Sequence, residues 1–254
     1  MGDWNLDALR ADPVSALGWH VRANMVSSVD GAGWFDGRSG PLSGAADVDL
    51  FRALRAVADV VLVGAGTVRV ENYGPLTLSE PLVEWRRSRG LPPYPRLAVI
   101  SGRLALQARS RLFEPPPEGG SPVLLLTAGA APPHTQRTLA AHADIETLTD
   151  LAPATIASAL HARGLSRIHL EGGPSTLGDF VVADLLDELR LTLSPLLAGG
   201  TTAITPHGAG TGAGTGAGGR IVTGPSLRTP RRLTLESVTQ VDGFLFLSYA
   251  RARG

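Results

Sequence analysis

The feature that most constrains the fold is a short apolar run that ends in a glycine turn. The clearest example is VVLVGAG at residues 60–66. An unbroken apolar, mostly β-branched run of this length is typical of a strand covered on both faces, which is the environment of a parallel sheet. RIHLEGG at 167–173 is a second strand that leads into a glycine turn. The two runs therefore predict an α/β protein built around a parallel sheet.

Strand and helix patterns alternate along the rest of the chain. Further strands are predicted at 20–28, 96–101, 121–129 and 187–200, and helices at 40–59, 132–143, 152–165 and 174–186. The segment 231–252 contains two alternating strands around the turn-forming pair Asp242-Gly243, which predicts a hairpin. Together these patterns predict a three-layer α/β/α fold, with a mostly parallel sheet and a C-terminal antiparallel hairpin.

The segments outside this alternation suggest the domain organisation. Residues 1–19 are interpreted as an N-terminal extension, and 20–254 as a single domain. The proline- and charge-rich stretch 80–95 is interpreted as a surface loop, and Ser43 is a candidate helix cap. The tract HGAGTGAGTGAGGR at 207–220 has no strand leading into it and no helix pattern after it. It is interpreted as a flexible insertion, because a phosphate-binding loop needs N–H groups held rigidly.

Composition excludes several classes of function. The chain has 23 basic and 23 acidic residues, a balance that argues against nucleic acid as a partner. It has no cysteine, which excludes disulfides, thiolate nucleophiles and cysteine-bound zinc. Its six histidines lack metal-ligand spacing, so no metal site is predicted. The sequence shows neither a secretory signal nor an apolar run of membrane-spanning length, which favours a cytoplasmic protein with no membrane partner.

Two glycine turns are candidates for holding a phosphate. In VVLVGAGTV, Gly64 and Gly66 would let a ligand approach the backbone, and Thr67 adds a hydroxyl. The motif is not a complete G-x-G-x-x-G, so a plain turn is the alternative. In HLEGGPSTLG a helix is predicted to begin at Pro174-Ser175-Thr176, and helix N-termini attract anions. A plain strand-to-helix turn capped by serine is the alternative there.

Both turns, and the segment SSVDG at 27–31, follow predicted strands. In a parallel sheet these strand ends lie on one edge, where open α/β sheets bind ligands. One crevice would then hold two glycine turns, a helix N-terminus and the carboxylates of Asp30, Glu71 and Glu171. This combination predicts a cofactor site with acidic groups beside it.

Several segments together resemble the reductase domain of riboflavin biosynthesis, the C-terminal domain of the bifunctional deaminase-reductase. In order, they are RANMVSSVDG, GPLSG, ADVVLVGAGTVRVENYGPLT, LAVISGRL and HLEGGPSTLGDFVVADLLDELRLTLSPLLAGG. The resemblance implies a dihydrofolate-reductase-like fold, an NADPH cofactor and a homodimer formed through the C-terminal strands. The implied reaction is reduction of a pyrimidine such as 5-amino-6-(5-phosphoribosylamino)uracil, by hydride transfer to C1′ of its ring-opened imine. A reductase of a related ring such as dihydrofolate, or a non-catalytic NADPH-binding protein, are the alternatives.

The resemblance also implies a catalytic and a substrate-binding set of residues. Asp30 would stabilise or protonate the iminium, with a turn-forming role as the alternative. Glu171 would hydrogen-bond the pyrimidine ring. The residues implied in substrate binding are Asn24, Ser28, Ser39, Ser43, Arg55 and Leu76. For Arg55, a solvated position on the helix surface is equally open.

The residues implied in NADPH binding lie on four of the predicted strands or just after them. Val26 would line the nicotinamide pocket, and Ser101 and Arg103 would meet the adenosine ribose or its 2′-phosphate. The glycine turns supply Gly64, Gly66, Thr67, Glu71, Gly172, Gly173, Ser175, Thr176 and Leu177. One departure concerns the substrate: the family's phosphate-gripping arginine is absent from YGPLTLSEP. Loss of a bidentate phosphate clamp leaves the identity of the substrate open.

Overall fold

The computed structural model describes residues 4–10, 17–129, 131–199 and 219–252. Within these residues, nine strands form one sheet in the order β5-β4-β3-β2-β6-β1-β7-β9-β8. The strands are β1 (His20–Ser28), β2 (Val60–Gly64), β3 (Arg96–Ile100), β4 (Val123–Thr127), β5 (Ala143–Thr147), β6 (Arg167–Leu170), β7 (Glu188–Ser194), β8 (Leu233–Val241) and β9 (Phe244–Arg251). The strands from β5 to β7 in that order run parallel, whereas β9 and β8 continue the sheet as an antiparallel hairpin. The predicted sheet is therefore confirmed.

Helices cover both faces of this sheet. They are α1 (Leu6–Arg10), α2 (Ala45–Val57), α3 (Ala65–Val70), α4 (Glu80–Arg87), α5 (Pro133–Ala140), α6 (Pro153–Ala162) and α7 (Pro174–Val182). On one face Leu62 of β2 belongs to a core cluster with residues of α6 and α7. Its neighbour Val61 belongs to a second cluster with residues of α3 and α5. Successive side chains of a strand point to opposite faces, so the predicted three-layer arrangement is confirmed.

The interpretation of 80–95 as a surface loop is wrong for its first half, which forms α4. This helix is anchored by Arg86, whose side chain lies in the interior with only 1% of its surface exposed. The Arg86 guanidinium donates hydrogen bonds of 2.6–2.7 Å to the backbone carbonyl oxygens of Ala56, Ala58 and Pro92. In the sequence, an arginine that hydrogen-bonds buried carbonyl groups cannot be told from one that points into solvent. The charge-rich composition of this stretch therefore suggested a surface loop.

Two further local features differ from the sequence-based expectation. The structure adds β5, a five-residue strand at the sheet edge, where Asp144 is exposed and the continuous apolar signal of the inner strands is missing. The N-cap of α2 is Gly44 rather than Ser43. The Ser43 hydroxyl donates instead to the carboxylate of Asp47, which lies in the first turn of α2.

The described part of the predicted N-terminal extension packs on the domain. The Trp4 ring meets Phe246 of β9 edge-on with 5.1 Å between ring centroids, and Arg10 pairs with Asp59 at 3.1 Å. The domain boundary at residue 19 stays a prediction. The tract predicted as a flexible insertion at 207–220 lies outside the described residues except for its last two. None of the described helices is long and apolar enough to cross a membrane.

Candidate active site

The candidate site lies along the carboxyl ends of five adjacent parallel strands, in the order β3, β2, β6, β1 and β7. Ser101 follows β3, Gly64 ends β2, Glu171 follows β6 and Asp30 lies two residues beyond β1. The predicted strand ends thus meet at one edge of the sheet. This edge is where open parallel sheets bind ligands.

The two glycine turns interlock. The N–H of Gly64 donates to the carbonyl of Gly172 at 3.1 Å. A Cβ at Gly64 would lie 2.8 Å from Oγ1 of Thr176, and a Cβ at Gly173 would lie 2.8 Å from Oγ1 of Thr67. Each turn therefore needs glycine because the threonine of the other turn fills the space. The peptide bond between Gly172 and Gly173 is cis.

Helix α7 begins directly after the second turn. Its N-cap is Gly173, and no side chain caps it, so the alternative of a serine cap is not what the structure forms. The first turn of a helix has N–H groups without intrahelical acceptors, and here that turn includes Ser175 and Thr176. Leu177 differs from the other predicted cofactor residues, because its side chain is fully buried and its N–H donates to the Gly173 carbonyl. A side-chain contact between Leu177 and NADPH is not supported by this position.

Glu171 is the centre of a buried charged cluster. The Arg55 guanidinium makes a two-pronged contact with its carboxylate, with Nε 2.6 Å from Oε1 and Nη2 2.7 Å from Oε2. The Tyr73 hydroxyl donates to Oε2 at 2.7 Å, and the Arg55 guanidinium lies 4.2 Å from the centre of the Phe51 ring. Burial alone would raise the pKa of Glu171, but the Arg55 charge and these hydrogen bonds hold that pKa below its ordinary value.

This cluster changes how Arg55 and Glu171 are understood. Arg55 is not a solvated surface residue, because only 17% of its side chain is exposed and it neutralises Glu171. Both oxygens of Glu171 already accept hydrogen bonds, so a substrate N–H would have to share them. Tyr73 was not among the predicted site residues; burial raises the pKa of its hydroxyl well above the usual value. No pattern in the sequence distinguished this tyrosine from an ordinary loop residue.

Asp30 ties the end of β1 to the segment that follows β7. Its Oδ1 accepts hydrogen bonds from the Ser28 hydroxyl at 2.5 Å and the Ala198 N–H at 3.1 Å, and its Oδ2 accepts one from the Gly199 N–H at 2.7 Å. The Ser28 hydroxyl first, and then the two backbone N–H groups, lower the pKa of Asp30 to about 2. At neutral pH this group is a carboxylate, which suits it to stabilise a cation rather than to donate a proton.

Glu71 joins the turn after β2 to the predicted substrate segment, since its Oε1 accepts hydrogen bonds from the N–H and hydroxyl of Ser39, both at 3.0 Å. Asp47 was missed: its Oδ2 accepts from the Ser43 hydroxyl and its Oδ1 from the Thr192 hydroxyl at 2.6 Å. A usable signal existed, because Asp47 lies three residues before Leu50 and thus falls on the apolar face of a helix.

The remaining predicted residues divide into two groups. Asn24 and Val26 lie on β1. Ser101 is buried directly after β3, and Arg103 is exposed two residues further along. Leu76 lies elsewhere, in a core cluster, and it lines a pocket at the amino ends of β3 and β4. A substrate contact for Leu76 is therefore not supported. In the described ranges, no group of three or more His, Cys, Asp or Glu could hold a metal ion.

Comparison with known proteins agrees with this geometry. The RibD C-terminal domain family matches residues 19–243. The 2,5-diamino-6-ribosylamino-4(3H)-pyrimidinone 5′-phosphate reductase of Archaeoglobus fulgidus is 25% identical over 189 residues, 73% of this chain and 84% of that protein. The riboflavin biosynthesis protein RibD of Mycobacterium tuberculosis is 30% identical over 193 residues, 74% of this chain and 46% of that protein. The chain thus spans less than half the length of that RibD.

A solved structure covers nearly the whole chain. The crystal structure of a pyrimidine reductase-like protein from Corynebacterium diphtheriae matches with a TM-score of 0.77 and 28% sequence identity, over 98% of this chain and 99% of that chain. The resemblance found in the sequence is confirmed: the chain belongs to the RibD C-terminal domain family, the reductases of riboflavin biosynthesis.

Proposed function

We propose that this protein uses NADPH to reduce a 6-ribosylaminopyrimidine 5′-phosphate, by hydride transfer to C1′ of the ring-opened imine. The observation that carries the proposal is the pair of interlocked glycine turns beside Glu171 and Asp30 at one sheet edge. The names of the relatives support a pyrimidine substrate. The lack of cysteine fits a reducing compartment, and we expect the protein to act in the cytoplasm.

The residues at this edge fit a dinucleotide laid across the strand ends. Ser101 and Arg103 beyond β3 would take the adenosine end, the turns after β2 and β6 the pyrophosphate, and Val26 of β1 the nicotinamide. Gly66 supports this fit, because a Cβ there would meet no heavy atom within 4 Å, so its backbone is open to a ligand. When bound, NADPH supplies the hydride.

The acidic residues would stabilise positive charge in the substrate rather than transfer protons to it. Imine reduction passes through a cationic carbon–nitrogen centre, which a nearby carboxylate stabilises. Asp30 can do this, because its pKa of about 2 keeps it ionised. Glu171, neutralised by Arg55, is better suited to position the ring through shared hydrogen bonds.

The proposal is tested by following NADPH oxidation with three substrates in parallel. These are 5-amino-6-(5-phosphoribosylamino)uracil, 2,5-diamino-6-ribosylamino-4(3H)-pyrimidinone 5′-phosphate and dihydrofolate. Turnover of either ribosylaminopyrimidine supports the proposal. Turnover of dihydrofolate alone would mean that the ring pocket serves another pathway, and NADPH binding without any turnover would favour a non-catalytic protein.

The placement of the cofactor predicts the behaviour of two glycine variants. Gly66→Ala adds a methyl group in open space within α3, so the free energy of unfolding should be unchanged or rise by up to about 1 kcal/mol. The Kd for NADPH should rise about tenfold, because the methyl group occupies the cofactor's path. Gly64→Ala is the contrast and should lose both stability and affinity, because its Cβ meets Thr176. Titration calorimetry measures the Kd for NADPH, and urea unfolding measures the free energy of unfolding. An unchanged Kd in Gly66→Ala would mean that the cofactor does not bind at this turn.

We also propose a homodimer formed through the C-terminal strands. β8 is the outermost strand, and Leu235 and Val238 on it are 49% and 52% exposed. An exposed apolar edge of this length is normally paired or covered. Light scattering should give twice the 26.4 kDa chain mass, and Val238→Lys should shift it towards the monomer. Val182→Lys, on the exposed side of α7, is the control and should remain dimeric.

A further inference from the structure

Tyr73 donates a hydrogen bond to a carboxylate whose charge Arg55 already balances. Its hydroxyl lies 2.7 Å from Oε2 of Glu171, and the centre of its ring lies 5.6 Å from the Arg55 guanidinium. Burial raises the pKa of this hydroxyl well above its usual value, so Tyr73 keeps its proton at neutral pH and acts as a donor. The contact therefore adds direction to the Glu171 cluster rather than charge.

The backbone on both sides of Tyr73 holds its side chain towards the cluster. The N–H of Tyr73 donates to the Val68 carbonyl at 3.1 Å, across the end of α3. Asn72 has a φ of 52°, in the left-handed region that the residue after a helix end adopts in this kind of ending. On the other side, a Cβ at Gly74 would lie 3.1–3.3 Å from atoms of the Arg111 guanidinium. The conformation of this segment is thus fixed by the helix end and by packing.

The helix that ends before Tyr73 also carries part of the proposed cofactor site. Helix α3 runs from Ala65 to Val70 and contains Gly66 and Thr67 of the first glycine turn. Tyr73 therefore connects the Glu171 carboxylate to the element on which the proposed function places NADPH.

Donors from two separate elements hold the Glu171 carboxylate. Arg55 of α2 fills one acceptor position on each oxygen, and Tyr73 fills a second position on Oε2. Nε2 of His169 lies 3.6 Å from Oε1, beyond hydrogen-bond distance. A carboxylate has about four acceptor positions, so the open one is on Oε1. The terminal torsion of a glutamate has no sharp preference of its own, so the second donor fixes the plane of the carboxylate.

We infer that Tyr73 is a positioning residue, whose hydroxyl holds the Glu171 carboxylate in the orientation that presents Oε1 to the substrate. The inference rests on the proposed function, and it gives a role to a residue that the sequence-based prediction missed. Tyr73 acts through Glu171 and does not itself need to touch the reacting atoms. A substrate that is bound in the wrong orientation reacts slowly even when it binds.

The test is a cycle of the variants Tyr73→Phe and Glu171→Ala, assayed with the two ribosylaminopyrimidine phosphates. Tyr73→Phe removes only the hydroxyl and its bond to a charged group, so kcat/KM should fall about tenfold. The loss should lie mainly in kcat, because the substrate still binds but is held less well for reaction. The Kd for NADPH should stay the same. In the Glu171→Ala background, Tyr73→Phe should change kcat/KM by less than about twofold, because the hydroxyl has no carboxylate to hold.

Tyr94→Phe is the matched control, because Tyr94 is a half-buried tyrosine beside the amino end of β3. It should leave kcat/KM unchanged. An unchanged kcat/KM in Tyr73→Phe would overturn the inference. The same loss from Tyr73→Phe in both backgrounds would also overturn it, because the hydroxyl would then act through the packing of the domain and not through Glu171.

If Glu171→Ala does not fold, the kinetics of Tyr73→Phe alone still decide, since a loss confined to KM would overturn the inference. All of these results leave the reductase function intact. Turnover of neither ribosylaminopyrimidine by the unmodified protein would overturn the proposed function and this inference with it.

Discussion

Replacing Arg55 with leucine is expected to lower the free energy of unfolding by about 3–5 kcal/mol, because it leaves a buried carboxylate without its counter-charge. The side chain of Glu171 is only 1% exposed, and Arg55 supplies two of its three short hydrogen bonds. Without Arg55, burial would dominate and raise the pKa of Glu171. Urea unfolding at pH 7 measures the loss.

The double variant Arg55→Leu/Glu171→Gln separates the two causes of that loss. Its neutral amide removes the unpaired charge, so most of the lost stability should return, although the ring-positioning contact is gone. Activity in the double variant should therefore stay low while stability recovers. If the double variant is as unstable as Arg55→Leu, the main cause of the lost stability is the lost packing against Phe51 and not the uncompensated charge.

Arg52→Leu is the matched control on the same helix. Arg52 is 57% exposed and faces Asp49 at 3.8 Å, so its removal should change the free energy of unfolding by less than about 0.5 kcal/mol. If Arg52→Leu and Arg55→Leu lower the free energy of unfolding by similar amounts, leucine itself destabilises α2. The loss in Arg55→Leu would then not be due to the unpaired charge of Glu171.

The inner part of the fold could be predicted because its residues obey one pattern. Strands such as β2 and β4 are apolar on both faces, so the run itself indicates a covered parallel strand. The missed elements break that pattern for identifiable reasons. β5 is an edge strand with polar residues on its outer face. Helix α4 is held by Arg86, which bonds the carbonyls of Ala56 and Ala58, 30 and 28 positions away in the sequence, as well as the nearby carbonyl of Pro92.

The candidate site shows the same division. The positions of the glycine turns follow from the strands that precede them, so they could be predicted from the sequence. Arg55 and Glu171 are 116 positions apart in the sequence, and no local sequence pattern predicts that they form an ion pair. Asp47 bonds to a residue 145 positions away, and its only local mark is an acid on an apolar helix face. Long-range polar contacts are set by tertiary packing, which is why the chemistry of the site was less predictable than its location.

His169 is expected to make the protein lose stability as the pH falls from about 6.5 towards 4.5. The imidazole is fully buried on β6, and burial first, then the charges of Arg22 and Arg55, outweigh the attraction of Glu171 and Glu188. Together they lower the pKa of His169 to about 4, whereas a histidine in the unfolded chain titrates near 6.5. Between these values the unfolded chain binds a proton that the folded protein does not, so acid favours unfolding.

The size of the effect follows from the gap between the two pKa values. At pH 4.5 the loss attributable to His169 should be about 2–3 kcal/mol relative to pH 7. Asp30 and Glu188, whose pKa values are lowered to about 2, start to lose their contributions to stability only below about pH 4.5, so between pH 7 and 4.5 they add little to the loss.

Urea unfolding of the unmodified protein and of His169→Gln, measured from pH 7 to 4.5, tests this, because glutamine does not titrate. The variant should lose markedly less stability over the interval, whatever its stability at pH 7. His134→Gln, at an exposed position on α5, is the control and should follow the unmodified protein. Parallel curves for the unmodified protein and His169→Gln would mean that the buried imidazole takes up its proton without cost in the folded state. The electrostatic balance described for the Glu171 cluster would then be wrong.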